Sequence, residues 1–188
     1  MSNGTIRRRA FLGAVAALPA GVLAQPQTPA SGVGVKVAAG QSRFGQTLTL
    51  PDGGALFIKV ATQDSGGAFF LTEQPSGKKG GPPKHFHLEE DEWFYCLAGE
   101  YIVEVGTQRY ELKPGTSVLG PRRVPHAFAF VGNTPGRLLI GFTPAGRMEQ
   151  FFRDLDARGK YFGTGTNEER EVARQRYGIV NVGPPLAF

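Results

Sequence analysis

Cysteine is almost missing from this chain of 188 residues; Cys96 stands alone. A single thiol excludes an intrachain disulfide and a cysteine-rich zinc site, and it says nothing about redox compartment. Long apolar runs are also missing. The apolar stretch over residues 11–23 is shorter than a membrane span requires. The formal net charge of +5 owes much to Arg7, Arg8 and Arg9, and the first 24 residues hold no acidic side chain. Residues 25–188 therefore carry 18 basic and 16 acidic groups. With no long Lys/Arg run among them, nucleic acid is a poor partner. Histidine is scarce as well: His85, His87 and His126 are the whole complement. No internal repeat is visible.

Glycine (27) and proline (14) together make up about a fifth of the chain. That is high for a helical bundle and natural for a turn-rich β protein. Fourteen phenylalanines argue against disorder, and the length fits one domain with a real core. Residues 1–24 read as a signal peptide of the twin-arginine type. Arg8-Arg9-Ala10-Phe11-Leu12 carries the paired arginines, and Val22-Leu23-Ala24 offers a cleavage site. The expected location is periplasmic or secreted, with no stable membrane span once the signal is removed. Residues 25–44 read as a flexible arm.

From 45 to 145 the pattern is one of short β-prone runs: 55–61, 68–73, 92–97, 100–105, 108–112, 117–119, 126–131 and 137–142. Asp52-Gly53-Gly54, Ser65-Gly66-Gly67 and Pro114-Gly115 punctuate them. This spacing predicts an all-β sandwich or barrel. Residues 146–188 read as a C-terminal helical segment packing on the barrel. In 146–158, Met148, Phe151, Phe152 and Leu155 fall on one helical stripe, with Gly159 as the stop. This helix either lids the barrel mouth or packs on its edge. A second helix is expected over 167–177, with Asn167 as its cap.

His85 and His87 are two residues apart, so an extended backbone turns both imidazoles the same way. Glu92 opens the next strand, sharing a face with Phe94 and Cys96, while Trp93 and Tyr95 take the other. His126, Phe128 and Phe130 share a face in a later strand. If the strands face each other, three imidazoles and one carboxylate converge, with Phe94, Phe128 and Phe130 as the aromatic surround and candidate substrate contacts. Those donors suit a divalent first-row transition metal, with Fe, Mn, Ni, Cu, Co and Zn all compatible.

At these residues the chain resembles the cupin superfamily. The first cupin motif is matched by His85, His87, Glu92 and Gly99, with Lys79 where its leading Gly belongs and Gly80 beside it. The second is matched by Gly115, Pro121 and His126, with Arg123 in place of a Gly and Phe130 in place of an Asn. The resemblance extends through Phe142-Thr143-Pro144-Ala145-Gly146 to single-domain bacterial cupins similar to quercetin 2,3-dioxygenase. It implies a double-stranded β-helix (jelly-roll barrel) with C-terminal helices, and metal-ligand roles for His85, His87, Glu92 and His126. A homodimer is implied on the same ground.

Four protein ligands leave two positions open on an octahedral ion. Three neutral imidazoles and one carboxylate leave a divalent ion with net charge near +1, which favours an anionic oxygen. The leading expectation is a dioxygenase that cleaves a C–C bond of an enol, flavonol-like or phenolic small molecule with O₂, with Glu92 as general base. A periplasmic cupin that binds a metal or small ligand without turnover, and a sugar isomerase, are the alternatives. Lys78, Lys79 and Lys84 read as a solvated basic loop. Arg122 and Arg123 either greet an anionic substrate or pair with Glu89, Glu90 or Asp91.

Overall fold

The computed structural model describes Met1 and residues 34–162 and 165–188. Apart from Met1, the signal-peptide reading of residues 1–24 and the arm up to residue 33 lie outside the described residues. Among the described residues there are eleven strands, two helices and a short 3₁₀ turn. The strands are β1 (Leu48–Thr49), β2 (Ala55–Val60), β3 (Phe70–Ser76), β4 (Pro83–His87), β5 (Asp91–Ala98) and β6 (Tyr101–Val105). They continue with β7 (Gln108–Leu112), β8 (Ser117–Gly120), β9 (His126–Phe130), β10 (Gly136–Thr143) and β11 (Ile179–Pro185). The helices are α1 (Met148–Arg158) and α2 (Asn167–Tyr177).

All pairings are antiparallel, in two sheets ordered β1-β2-β3-β10-β5-β8 and β11-β4-β9-β6-β7. This is the expected jelly roll. Period-two alternation drives it. Along β5, Glu92, Phe94 and Cys96 are buried while Trp93 and Tyr95 are half-buried. Along β10, Leu138, Ile140 and Phe142 point inward. They meet Tyr101, Val103 and Phe130 of the opposite sheet in one core. Each such large side chain, fully buried, contributes roughly 1.5–3 kcal/mol.

Three strands lie outside the expected runs. β1 is only two residues long. β4 supplies the extended backbone that the His85/His87 argument needs. β11 falls in the segment expected to be helical, because Gly183, Pro184 and Pro185 disguise it. Proline lacks a ladder donor and is confined to sheet edges, and β11 is the edge strand beside β4. The five-stranded sheet is thus completed by residues well beyond 145. Part of the arm is tied down as well. Ser42 is buried and its hydroxyl accepts from the Ile58 N–H at 3.1 Å, while Arg43 pairs with Asp64.

Helix α1 carries the expected stripe, and Gly159 closes it in the left-handed conformation (φ 67°). In α2 the cap is Thr166 rather than Asn167. Thr166 keeps an extended backbone and its hydroxyl accepts from the Glu169 N–H at 3.2 Å, so Asn167 is the first helical residue. Among the described residues, no helix is long and apolar enough to cross a membrane.

Phe130 explains a group of glycines. A Cβ on Gly136 or Gly132 would lie 2.6 or 2.9 Å from its ring. Gly99 sits at φ 79°, and a Cβ there would meet the Gly136 Cα at 2.6 Å. Strain and collision with backbone coincide at that residue. Gly99→Ala is expected to lower stability by roughly 2–4 kcal/mol, read as a shift in the denaturant midpoint with an unchanged slope. A change under about 0.5 kcal/mol, the size of an ordinary surface substitution, would contradict this packing.

Candidate metal centre

Strand pairing brings the histidines together. His85 of β4 is the direct partner of His126 in β9, and His87 lies two residues along the same face. On its other side β4 is held by β11, where Ile179 faces His87 and Asn181 faces His85. Glu92 comes from β5 in the opposite sheet. The site therefore spans the gap between the sheets. His87, His126 and Glu92 are buried, and His85 is slightly exposed.

The three Nε2 atoms converge on one carboxylate oxygen. Glu92 Oε2 lies 2.8 Å from His126, 3.0 Å from His87 and 3.6 Å from His85. One ligand atom from each of the four residues falls within 4.8 Å of all the others. Two of the rings have their tautomer fixed. His85 Nδ1 is 2.8 Å from the Pro83 carbonyl and His126 Nδ1 is 2.9 Å from the Val124 carbonyl. A carbonyl only accepts, so each Nδ1 carries the hydrogen. In the neutral ring Nε2 then presents a lone pair to an anionic oxygen. Either a proton on Nε2 or a cation between the groups resolves that contact, and three nitrogens with one oxygen fit a transition metal. The donor set does not select which one.

The same crowding sets the protonation balance of the metal-free protein. Burial alone would raise Glu92, but hydrogen bonds from His126, His85 and His87 hold it well below the ordinary carboxylate range. Burial works to lower His85, and the adjacent Glu92 more than offsets it, leaving His85 raised. At His87 burial prevails and pushes the imidazole down to about 4.

The cluster opens into a cavity of about 320 Å³ between the sheets. His85, His87 and Glu92 form its polar end. Phe128, Ile140 and Phe142 line it from the strands, and Met148, Phe151, Phe152 and Leu155 line it from α1. Of the two placements open for α1, the structure has it walling the cavity. The three phenylalanines expected as substrate contacts separate. Phe128 lines the cavity. Phe94 is fully buried behind it, its ring 5.6 Å from Phe128 and 6.1 Å from His126. Phe130 packs on Tyr101 at 5.3 Å among the glycines and does not line the cavity. Alternation put it on the correct face, but it sits four residues beyond His126 and outside the cavity wall.

The motif departures have local explanations. Arg123, standing where a Gly is expected, has a left-handed backbone (φ 63°). Its N–H donates to the His87 carbonyl at 2.7 Å and its side chain to the Leu88 carbonyl at 3.2 Å, which holds the strained turn against β4. Gly80 pairs with Phe130, and Gly81 passes so close to β9 that a Cβ would lie 1.8 Å from the Phe128 carbonyl oxygen. The glycine displaced by Lys79 is supplied one residue later. Arg122 pairs with Asp91 at 2.8 Å, and Lys84 with Glu104 at 2.9 Å.

Known proteins bear on this geometry in one decisive way. The cupin domain family matches residues 70–142, the stretch that contains all four clustered side chains. Over these residues the chain matches a cupin domain. It is 29% identical over 112 residues to quercetin 2,3-dioxygenase of Bacillus subtilis, covering 59% of this chain and 33% of that protein. It is 29% identical over 55 residues to an uncharacterized protein of Methanocaldococcus jannaschii, covering 29% of this chain and 44% of that one. The chain thus spans less than half the length of these curated relatives. An RmlC-like cupin from Shewanella frigidimarina superposes with a TM-score of 0.46 at 22% identity, over 53% of this chain and 84% of that one.

Sequence reading leaves two contributors to this centre open. The helical stripe makes α1 either a lid or an edge helix, and Glu90 reads as one possible partner of Arg122 or Arg123 although it is buried. With metal removed, stability should fall as pH drops from about 6.5 towards about 4, because the unfolded chain then binds a proton that His87 refuses. Glu92, depressed, adds to the loss at lower pH; raised His85 acts oppositely, its contribution vanishing as pH climbs through its folded value. Proton NMR of the chelated protein should find the His87 imidazole titrating near 4; titration at 6.5 or above would contradict the geometry.

Proposed function

We propose that this cupin is a metal-dependent dioxygenase that cleaves a C–C bond in an enol, flavonol-like or phenolic substrate. The observation that carries the reading is a three-histidine, one-glutamate cluster beside a cavity whose wall is largely aromatic and aliphatic on the side of α1. The local similarity to a quercetin 2,3-dioxygenase supports it.

His85, His87, His126 and Glu92 would hold one divalent transition metal. When bound, the ion supplies Lewis acidity and open positions for an anionic substrate oxygen and for O₂. The protein's own groups do the rest. Phe128, Phe142 and Phe151 give a flat substrate apolar surface on several sides. Their packing orients the hydroxyl-bearing end towards the cluster and removes much of the encounter entropy. Glu92, which lines the cavity, would take the hydroxyl proton as general base once its carboxylate is free of the cluster. Helix α1 excludes water from the reacting end.

A sugar isomerase fits less well. Two of the polar side chains that line the cavity are engaged inside the protein: Gln74 donates to Thr72 and Asn181 to the Phe162 carbonyl. A cupin that binds without turnover remains the competing reading, separated by turnover alone. Export by the twin-arginine route belongs to the same proposal and rests on Arg8-Arg9-Ala10-Phe11-Leu12. A homodimer does too; Trp93 and exposed Leu119 are cross-strand partners on the outer face of the six-stranded sheet, apolar surface that a second copy would cover.

Metal-loaded protein is expected to consume O₂ with at least one member of a flavonol and β-diketone panel, with loss of at least about 100-fold in His85→Ala. Tight binding of those compounds without O₂ uptake under any metal would overturn the dioxygenase reading in favour of the binding protein.

A further inference from the structure

Two buried polar atoms next to the metal cluster lack a hydrogen-bond partner: His87 Nδ1 and Glu90 Oε2. They lie 4.0 Å apart. His87 is wholly buried and Glu90 nearly so. The other two histidines give their Nδ1–H to backbone carbonyls. His87 has no such carbonyl. For its Nε2 to offer a lone pair alongside theirs, Nδ1 must carry the hydrogen, and a buried N–H without an acceptor is destabilising.

Glu90 is held in place from several directions. Gly146 (φ 51°) is packed so closely that a Cβ there would lie 1.7 Å from Glu90 Oε1. Gly178 is on another side, where a Cβ would lie 3.8 Å from Oε2. The backbone N–H of Arg147, the residue before α1, also faces the carboxylate. One oxygen therefore contacts the start of the helix that walls the cavity, and the other is left for His87.

We infer that Glu90 is a positioning residue. Its carboxylate accepts the His87 Nδ1–H, fixes that ring's tautomer and turns Nε2 towards the metal. About 1 Å of side-chain movement closes the pair to hydrogen-bond distance. A carboxylate behind a ligating imidazole raises its basicity and holds its orientation. Through Gly146 and Arg147 the same carboxylate ties the seat of α1 to the metal centre. The inference rests on the metal-centre reading proposed above.

The test uses the full chain and two variants, Glu90→Leu and Glu90→Gln. Zn(II) affinity is measured by competition with a chromophoric chelator. The visible spectrum of the Co(II) form reports ligand geometry, and melting of the chelated proteins controls for folding. Glu90→Leu removes the acceptor and should weaken Zn(II) binding about 10–100-fold. Glu90→Gln keeps a carbonyl acceptor of the same shape and should recover part of that loss, with a Co(II) spectrum intermediate between the other two. A purely structural role would move melting and leave affinity and spectrum alone. If Glu90→Leu fails to fold, Glu90→Gln decides: a several-fold weaker Zn(II) affinity with a shifted Co(II) spectrum supports the role, and wild-type values overturn it. Wild-type protein that takes up no ion sinks the metal reading and this inference with it. Wild-type uptake matched within twofold by both variants sinks only the role of Glu90.

Discussion

Three imidazole nitrogens facing one carboxylate oxygen form the constraint around which this molecule is arranged. Two of those imidazoles give their Nδ1 hydrogen to the backbone, so in the neutral form their Nε2 lone pairs face a negative charge. Such an array is unfavourable alone in a buried site and becomes favourable with a divalent cation at its centre. The fold's task is to hold the array against that repulsion. It does so with strands from both sheets, so that the ligands cannot separate without opening the core.

Several features follow from that task. Direct cross-strand pairing sets His85 against His126, and β11 clamps β4 from its far side. The strained Arg123 turn feeds its backbone N–H to the carbonyl of His87. Phe94 packs beneath His126, and Phe142 lies 5.5 Å from the His87 ring. Helix α1 then walls the cavity with Met148, Phe151, Phe152 and Leu155. A flat molecule entering along the aromatic wall would reach the cluster by its edge, which is why the chemistry proposed for it concerns enols and phenols rather than sugars.

Much of this is legible in the residues, and the reasons are local. Period-two alternation reveals which residues of β5 and β9 turn inward, and the His-x-His spacing reveals that two rings share a face. The helical stripe 148/151/152/155 and the stop at Gly159 are equally local signals. What escapes are facts about partners distant in the chain. β11 is hidden by its prolines because edge position is a property of the sheet, not of the segment. Phe130 shares the face of His126, yet lies beyond the reach of the cavity, since alternation gives a side and not a depth. Glu90 looks like one member of an acidic loop, and only its approach to Gly146 and Gly178 shows it to be buried. The Thr166 cap differs from the expected Asn167 by one residue, the ordinary scale of error where two good cap residues adjoin.

On the reading proposed above, His85, His87, Glu92 and His126 together hold one transition-metal ion. Metal analysis combined with native mass spectrometry of protein purified without chelators tests it most directly. One first-row ion per chain is expected in the wild type, with retention lost in His126→Ala even though that variant keeps the folded mass envelope. A wild-type protein that stays metal-free through loading with each of Fe, Mn, Co, Ni, Cu and Zn would contradict the account.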